Sequence, residues 1–205
     1  MTEELVFRAV FTLLHVALLG PDSYFILKSR RSEKKVSRGE RWKTLVRYEG
    51  KLLVALRGVL APLWLAAIIS YAVYPDWMAG LALPLPEWLR WGGAALALAA
   101  VGWNSWSQAT LGREYSRLLR LREGQRLVES GPYHWIRHPI YLGGSLFFLG
   151  VLLESANSLV AASMVFSIAM LLARIPKEEA MMLEQFGDAY REYMVRTGRM
   201  LPRLR

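Results

Sequence analysis

The sequence predicts an all-α, polytopic integral membrane protein with about five transmembrane helices. Hydrophobic residues make up 54% of the 205 residues, and they are gathered into long blocks instead of being spaced as on a soluble amphipathic helix. The net charge is +9, and the Lys and Arg residues lie mainly between the apolar blocks, as in the cytoplasmic loops of membrane proteins. The charge is therefore attributed to membrane topology, and no nucleic-acid partner is expected.

The first half of the chain predicts two spans and the loops that orient them. The first span covers residues 5–27 and is interrupted at Gly20 and Pro21, where a helix would kink or stop. Residues 28–51 carry ten Lys and Arg against three Glu, which predicts a basic cytoplasmic loop. The second span covers 52–74, and the loop 75–87 has no Lys or Arg, so it is predicted to be external. The N-terminus is then expected outside.

The third predicted span covers residues 88–111 and becomes polar in its second half. Asn104, Ser105, Ser107 and Gln108 lie there, toward the cytoplasmic end. Lipid would penalise these side chains unless they face other helices or a wet cavity. Hydrogen bonds between helices are favoured over contact with a ligand. Residues 112–138 are again basic, with six Arg against three Glu, and are predicted to be cytoplasmic.

Two short apolar runs then predict a helical hairpin over residues 139–174. They cover residues 140–153 and 159–172, and each is about 21 Å long as a helix. The hairpin returns the chain to the cytoplasm, so the C-terminus is expected inside. Beyond Arg174, the helical spacing of Met182, Phe186, Tyr190 and Tyr193 predicts a cytoplasmic amphipathic helix with Pro176 in its first turn.

The residue types present exclude several kinds of site. The chain has no cysteine, which excludes a disulfide framework, a thiolate metal site and a cysteine nucleophile. Its three histidines disfavour a multi-histidine metal site, and His15, inside the first span, is predicted to hydrogen-bond a neighbour. The glycine fingerprints of dinucleotide and phosphate sites are absent.

Residues 131–144 hold the densest group of shape-fixing and polar side chains. Pro139 is predicted to be the first residue of the leading hairpin helix, with His138 at its cap, and such a helix start suits an anion. Tyr133, Trp135 and Tyr141 could stack on an adenine or hold a cation. An interfacial aromatic belt explains the same residues equally well.

Arg174 and Glu178 are spaced four apart at the other end of the hairpin. They fall on one helical face if the helix continues through Pro176. The alternative interpretation is a surface ion pair.

These motifs, taken in order, resemble those of the isoprenylcysteine carboxyl methyltransferase family and its prokaryotic membrane relatives. The resemblance covers about the last 90 residues, and related phospholipid methyltransferases share parts of it. It is carried by Leu127-Val128, Gly131, Tyr133, Arg137-His138-Pro139, Tyr141 and Gly143, and after the hairpin by Arg174, Glu178-Glu179, Phe186-Gly187, Tyr190 and Tyr193.

The resemblance implies S-adenosylmethionine (SAM) bound without a Rossmann fold, in a cytoplasmic pocket. It divides the chain into a membrane region, 1–111, and a catalytic SAM-binding region, 112–205. It places Arg174 beside an acceptor carboxylate. The positions that it carries over to the cofactor are Gln125, Arg126, Leu127, Val128, Tyr133, His138, Pro139, Ile140, Tyr141, Glu178 and Glu179.

The expected function is therefore a SAM-dependent methyltransferase acting on a lipophilic acceptor in the lipid bilayer. Arg174 favours a carboxylate acceptor, which needs no general base at neutral pH. One alternative is the same fold acting on a phospholipid amine or on a small nucleophile. Another is a non-enzymatic membrane scaffold or transporter-like protein, whose tyrosines and arginines would serve only as interfacial anchors.

Overall fold

The computed structural model describes residues 2–30, 37–115 and 124–203. These residues form helices and no strand, with short 3-10 turns at Asp76–Leu81 and Gly131–His134. The all-α prediction is confirmed. Arg31, Lys34 and Lys35 of the first basic loop lie outside the described residues, as do Arg117, Arg120 and Arg122 of the second. The helices are α1 (Thr2–Arg30), α2 (Arg38–Glu49), α3 (Lys51–Val73), α4 (Glu87–Leu111), α5 (Pro139–Ser155), α6 (Ser158–Phe186) and α7 (Asp188–Arg196).

Three of the described helices are long and apolar enough to cross a membrane. They contain the stretches Glu3–Leu27, Lys51–Val73 and Ser158–Phe186, and α5 is a shorter apolar helix. The helix α4 packs closely along α5. The second half of α4 is polar. Large apolar side chains on α1, α3, α4 and α6 stay exposed on the outside of this bundle, which is the surface that lipid would cover. The chain is an integral membrane protein.

The helices α4 and α5 pack in close contact because small residues face each other. A Cβ atom added at Gly93 would lie 2.6 Å from the carbonyl oxygen of Gly150. A Cβ atom added at Gly150 would lie 2.6 Å from the carbonyl oxygen of Gly93. Close approach of backbones at small residues is a common way of joining helices in membranes. It brings the polar second half of α4 against the start of α5, where Gly143 lies beside the side chain of Asn104.

Two proline positions differ from the sequence-based expectation. The helix α1 continues past Pro21 to Arg30, so of the kink or stop predicted at that point the stop is wrong. The helix α6 likewise runs through Pro176 to Phe186, beyond the predicted end of the hairpin. Neighbouring helices in a bundle satisfy the backbone groups that proline leaves unpaired, so proline does not end a membrane helix by itself.

The C-terminal amphipathic region is consequently made of two pieces. The end of α6 forms the first piece, and α7 forms the second. The chain turns between them at Gly187, whose φ of 53° suits glycine.

The first basic loop also contains a helix, α2, which the sequence analysis does not predict. The helix α2 begins at a capping box in which Ser37 and Glu40 each accept a hydrogen bond from the other's backbone N–H. It ends at Gly50, where φ is 84°. The turn at Gly50 leads directly into α3, and α2 packs against both α3 and α6.

Candidate functional site

The start of α5 forms as the sequence predicted. His138 is the N-cap residue and Pro139 is the first helical residue. The side chain of His138 makes no capping hydrogen bond, because its ring points to Glu179 of α6, with Nε2 3.2 Å from Oε1. The indole nitrogen of Trp103 donates to the carbonyl oxygen of Pro139 at 2.8 Å. The beginning of α5 is thus held by both α4 and α6.

Glu179 is a buried carboxylate shared by three basic side chains from two other parts of the chain. Besides His138, it accepts from Arg137 Nε at 3.1 Å and from Arg199 Nη2 at 2.5 Å. Arg137 also donates to the carbonyl oxygens of Met194 and Thr197, at 3.0 and 2.5 Å. This cluster joins α6, the residues before α5 and the segment after α7.

The segment after α7 runs beside the residues that precede α5. The backbone N–H of Arg137 donates to the carbonyl oxygen of Gly198 at 2.9 Å, and the backbone N–H of His138 donates to the carbonyl oxygen of Arg199 at 3.0 Å. The hydroxyl of Tyr193 donates to the carbonyl oxygen of Tyr133 at 2.7 Å. The C-terminal region therefore packs against residues 133–138.

Tyr133, Tyr141 and Glu178 form a second group at the same end of the bundle. The hydroxyl of Tyr141 donates to Glu178 Oε2 at 2.5 Å. Tyr133 is buried, and burial, with a smaller effect of the Glu178 carboxylate, holds its pKa well above the ordinary value. Tyr133 therefore remains a neutral hydroxyl at physiological pH. The structure brings these three predicted residues together from the 3-10 turn, α5 and α6.

Arg174 lies inside the bundle, one helical turn before Glu178. Its side chain is only 13% exposed, which rules out the exposed surface ion pair considered from the sequence. Its Nη2 atom lies 3.3 Å from Oε1 of Glu49, the last residue of α2. The other oxygen of Glu49 accepts from Arg57 of α3 at 2.5 Å. No pattern in the sequence predicts that Glu49 pairs with Arg57 and Arg174, because the pairing depends on how α2, α3 and α6 pack.

A polar contact between helices lies beside this group. Asp22 of α1 accepts hydrogen bonds from the hydroxyl of Tyr115 and from Gln108 Nε2, the latter at 3.3 Å. The predicted hydrogen bonding between helices is thereby confirmed for Gln108. It is wrong for the hydroxyls of Ser105 and Ser107, which donate to the carbonyl oxygens of Val101 and Trp103 within α4 itself. Burial raises the pKa of Tyr115 to about 12, against a smaller opposing effect of Arg174. Asp22 had no signal in the sequence beyond its place next to Pro21.

The predicted cofactor strip, residues 125–128, has no regular secondary structure. Arg126 is exposed, whereas Gln125, Leu127 and Val128 are partly buried. The side-chain oxygen Oε1 of Gln125 is buried and has no hydrogen-bond partner among the described residues. Such an atom is suited to accept a hydrogen bond from a ligand.

The model of the phospholipid methyltransferase family matches residues 88–189 of this chain. The matched stretch contains α4, α5 and α6 together with the 3-10 turn at Gly131–His134. It therefore includes Glu178, Glu179 and Arg174 themselves, whereas α1, α2 and α3 lie outside it, as do the partners Glu49 and Arg199.

Curated proteins with different names are similar to the chain. It is 31% identical to the cobalt-zinc-cadmium resistance protein CzcN of Cupriavidus metallidurans. That alignment of 118 residues covers 56% of this chain and 55% of CzcN. It is 29% identical over 143 residues to a protein-S-isoprenylcysteine O-methyltransferase of Xenopus laevis, and the alignment covers 68% of this chain and 47% of that protein. It is 28% identical over 153 residues to a methanethiol S-methyltransferase of Mycobacterium tuberculosis, and the alignment covers 67% of this chain and 61% of that protein. The chain spans about half the length of the curated relatives it matches.

The fold is also found in a solved structure. It is that of the eukaryotic intramembrane Ras methyltransferase, an isoprenylcysteine carboxyl methyltransferase. The two structures superpose with a TM-score of 0.52 over 82% of this chain and 54% of that one, at 20% sequence identity. The likeness at this level of identity concerns the arrangement of the helices.

Proposed function

We propose that this chain, whose residues 88–189 match the phospholipid methyltransferase family model and which is similar to protein-S-isoprenylcysteine O-methyltransferases, is a SAM-dependent methyltransferase acting on a lipophilic acceptor. One observation carries the proposal. At one end of the membrane bundle, the buried Arg174 lies one turn from Glu178, which Tyr141 holds by a hydrogen bond. A cation and an anion on the same helix face give separate places for an anionic acceptor and a cationic cofactor.

The residues present fit SAM. Its amino group and sulfonium are positively charged, and Glu178 offers a carboxylate beside the aromatic faces of Tyr133 and Tyr141. The buried Oε1 of Gln125 is an acceptor suited to an adenine amino group. The residues that would hold the cofactor are those of the resemblance: Gln125, Arg126, Leu127, Val128, Tyr133, His138, Pro139, Ile140, Tyr141, Glu178 and Glu179.

When bound, SAM supplies a methyl group already activated by its sulfonium, so the protein needs no covalent intermediate. The task of the side chains is alignment and exclusion of water. Arg174 orients the acceptor, since a guanidinium fork matches a carboxylate bidentately. An ionised carboxylate is already nucleophilic at neutral pH, and no general base is required. The segment after α7 is tied to Arg137 and His138, and we expect it to limit the access of water to this end of the bundle.

Two other acceptor classes follow from the comparisons. The matched family model is named for phospholipid methylation, and some similar curated proteins are methanethiol S-methyltransferases. A phospholipid amine must lose a proton before it attacks, whereas a thiol is used as its thiolate. In a phospholipid, Arg174 could hold the phosphate but not the attacking amine, whereas with a carboxylate it holds the nucleophilic group itself, which is why a carboxylate is preferred here.

The proposal is tested with the purified protein in detergent. Calorimetric titration with SAM is expected to show binding, and a non-enzymatic scaffold would show none. Labelled methyl transfer is then measured to S-prenylated cysteine, phosphatidylethanolamine and a small thiol. We expect label on the prenylated cysteine. Label on only one of the other two acceptors would replace the carboxylate assignment, and a folded protein that binds no SAM would overturn the methyltransferase assignment.

A further inference from the structure

Glu49 is an unusual residue for its position at the end of α2. It is fully buried, although the other described side chains of this polar helix are exposed or partly exposed. A carboxylate removed from water must be compensated by charge and hydrogen bonding. Glu49 belongs to none of the motifs carried over from the family resemblance, so its burial calls for a local explanation.

Two arginines compensate Glu49, and they do so unequally. Oε2 accepts a charge-assisted hydrogen bond from Arg57 Nη1 at 2.5 Å. Oε1 lies 3.3 Å from Arg174 Nη2, but no group of the described residues donates a well-aligned hydrogen bond to that oxygen. The contact with Arg57 is therefore the tighter one, and the contact with Arg174 is an ion pair without good hydrogen-bond geometry.

The arrangement allows Arg174 to change partners without stranding Glu49. If another carboxylate bound Arg174, Glu49 would still keep its hydrogen bond to Arg57. The incoming carboxylate could pair bidentately with the guanidinium, a better geometry than Glu49 attains. An uncharged ligand would have no means of displacing Glu49, because it would leave Arg174 without the negative charge that Glu49 provides.

We propose that Glu49 is a specificity-determining residue that occupies, at Arg174, the place of the acceptor carboxylate. The proposal rests on the function assigned above to Arg174. In this view Glu49 neutralises Arg174 until an acceptor arrives, and an acceptor must compete with it. Only an anionic acceptor head group gains from the exchange.

The test measures binding of one acceptor analogue in charged and uncharged form. N-acetyl-S-farnesylcysteine and its methyl ester are titrated calorimetrically into the full-length protein in detergent. The variant Glu49→Gln keeps the shape of the side chain and removes its charge. We expect the acid to bind this variant roughly tenfold more tightly than it binds the wild type, a typical coupling between two sites. The affinity of the methyl ester should not change.

A matched control is available at the same pair of helices. Arg47 of α2 and Glu184 of α6 form an exposed ion pair at 3.1 Å, so Glu184→Gln removes the same charge away from Arg174. The affinity of the acid for this variant should equal that for the wild type. A second variant, Arg57→Gln, removes the tighter partner of Glu49 and leaves the carboxylate to Arg174. It should weaken binding of the acid.

Three results would overturn the inference: an unchanged affinity of the acid for Glu49→Gln, a weaker one, or an equal gain for the acid and the ester. An equal gain would mean that the variant merely loosens the pocket. Should Glu49→Gln not fold, tighter or unchanged binding of the acid by Arg57→Gln would overturn the inference instead. Methyl transfer is measured separately, so a wild type that binds the acid but transfers no methyl group contradicts the proposed function and leaves the test of Glu49 intact.

Discussion

Two neighbouring carboxylates on α6, Glu178 and Glu179, have different partners although both were assigned to the cofactor from the sequence. Glu178 accepts a hydrogen bond from a tyrosine hydroxyl and lies one turn from Arg174. Glu179 is surrounded by Arg137, His138 and Arg199. At the scale of single residues, Glu178 is the better candidate for direct contact with a ligand, and Glu179 is the better candidate for fixing the residues that make such contacts.

This difference gives a prediction for the two carboxylates. Glu179→Gln breaks a buried ionic cluster and should lower the free energy of unfolding by about 3 kcal/mol. Glu178→Gln should lower it by less than about 1 kcal/mol and weaken SAM binding by on the order of tenfold. Denaturation in detergent and calorimetry with SAM provide the two measurements. Equal losses of stability in both variants would contradict the distinction.

Arg174 gives a second prediction at the same scale. A lysine keeps the positive charge but cannot pair bidentately with a carboxylate. Arg174→Lys is expected to lower kcat/KM for a carboxylate acceptor by about tenfold or more, a loss of roughly 1.4 kcal/mol of transition-state stabilisation. SAM affinity should remain near that of the wild type. Unchanged kinetics in a folded Arg174→Lys protein would remove Arg174 from the acceptor site.

At the scale of elements, the site depends on how closely α4 approaches α5. Gly93 and Gly150 let the two backbones meet, and the same packing places Trp103 on the carbonyl oxygen of Pro139 at the start of α5. The continuous helix α6 supplies the second fixed edge, since it carries Arg174 through Pro176 to Glu178 on one face. Two rigid elements thus hold the group of Tyr141, Arg174 and Glu178.

The packing of α4 on α5 can be tested by comparing a glycine at the contact, Gly150, with a glycine away from it, Gly92. Gly150→Ala places a methyl group 2.6 Å from the carbonyl oxygen of Gly93, and overpacking of this kind costs about 1–3 kcal/mol. Gly92→Ala is the control, because no atom lies within 4 Å of the added methyl group. The control should be as stable as the wild type or more stable by up to about 1 kcal/mol, because alanine has a higher helix propensity than glycine. Thermal denaturation in detergent compares the two, and an equally stable Gly150→Ala protein would show that the contact is not tight.

At the scale of the whole molecule, the groups around Glu49, Glu178, Glu179 and Asp22 all lie at one end of the bundle. That end receives the C-terminal part of α1, the helix α2, the start of α5 and the segment after α7. The described parts of the two basic segments, residues 37–51 and 124–138, lie there as well, and we predict these segments to be cytoplasmic. A site there would be open to soluble SAM while the surrounding helices remain in contact with lipid, the route expected for a lipophilic acceptor.

The orientation itself is testable because the chain contains no cysteine. A single cysteine is introduced by Ala79→Cys in the loop before α4 or by Ala189→Cys in α7, both at exposed positions. A membrane-impermeant maleimide applied to intact cells is expected to label the first variant and not the second. Permeabilised cells should allow labelling of both, which serves as the control. Labelling of Ala189→Cys alone in intact cells would reverse the predicted topology.

The sequence by itself determined the features that depend on neighbours along the chain. Hydropathy and charge predicted the membrane class, and the local chemistry of His138 and Pro139 predicted where α5 begins. The spacing of Arg174 and Glu178 predicted a shared helix face, and the ordered motifs predicted the family. Each of these signals acts within a few residues, as helix starts and side-chain periodicity do.

Only the tertiary structure decided which distant side chains meet. Glu49 pairs with Arg174, Asp22 with Tyr115, and Arg199 with Glu179. None of these pairs has a local pattern, because each depends on which helices pack together and in what register. The continuation of α1 past Pro21 and of α6 through Pro176 was decided in the same way, since neighbouring helices determine whether a proline ends a helix in a membrane.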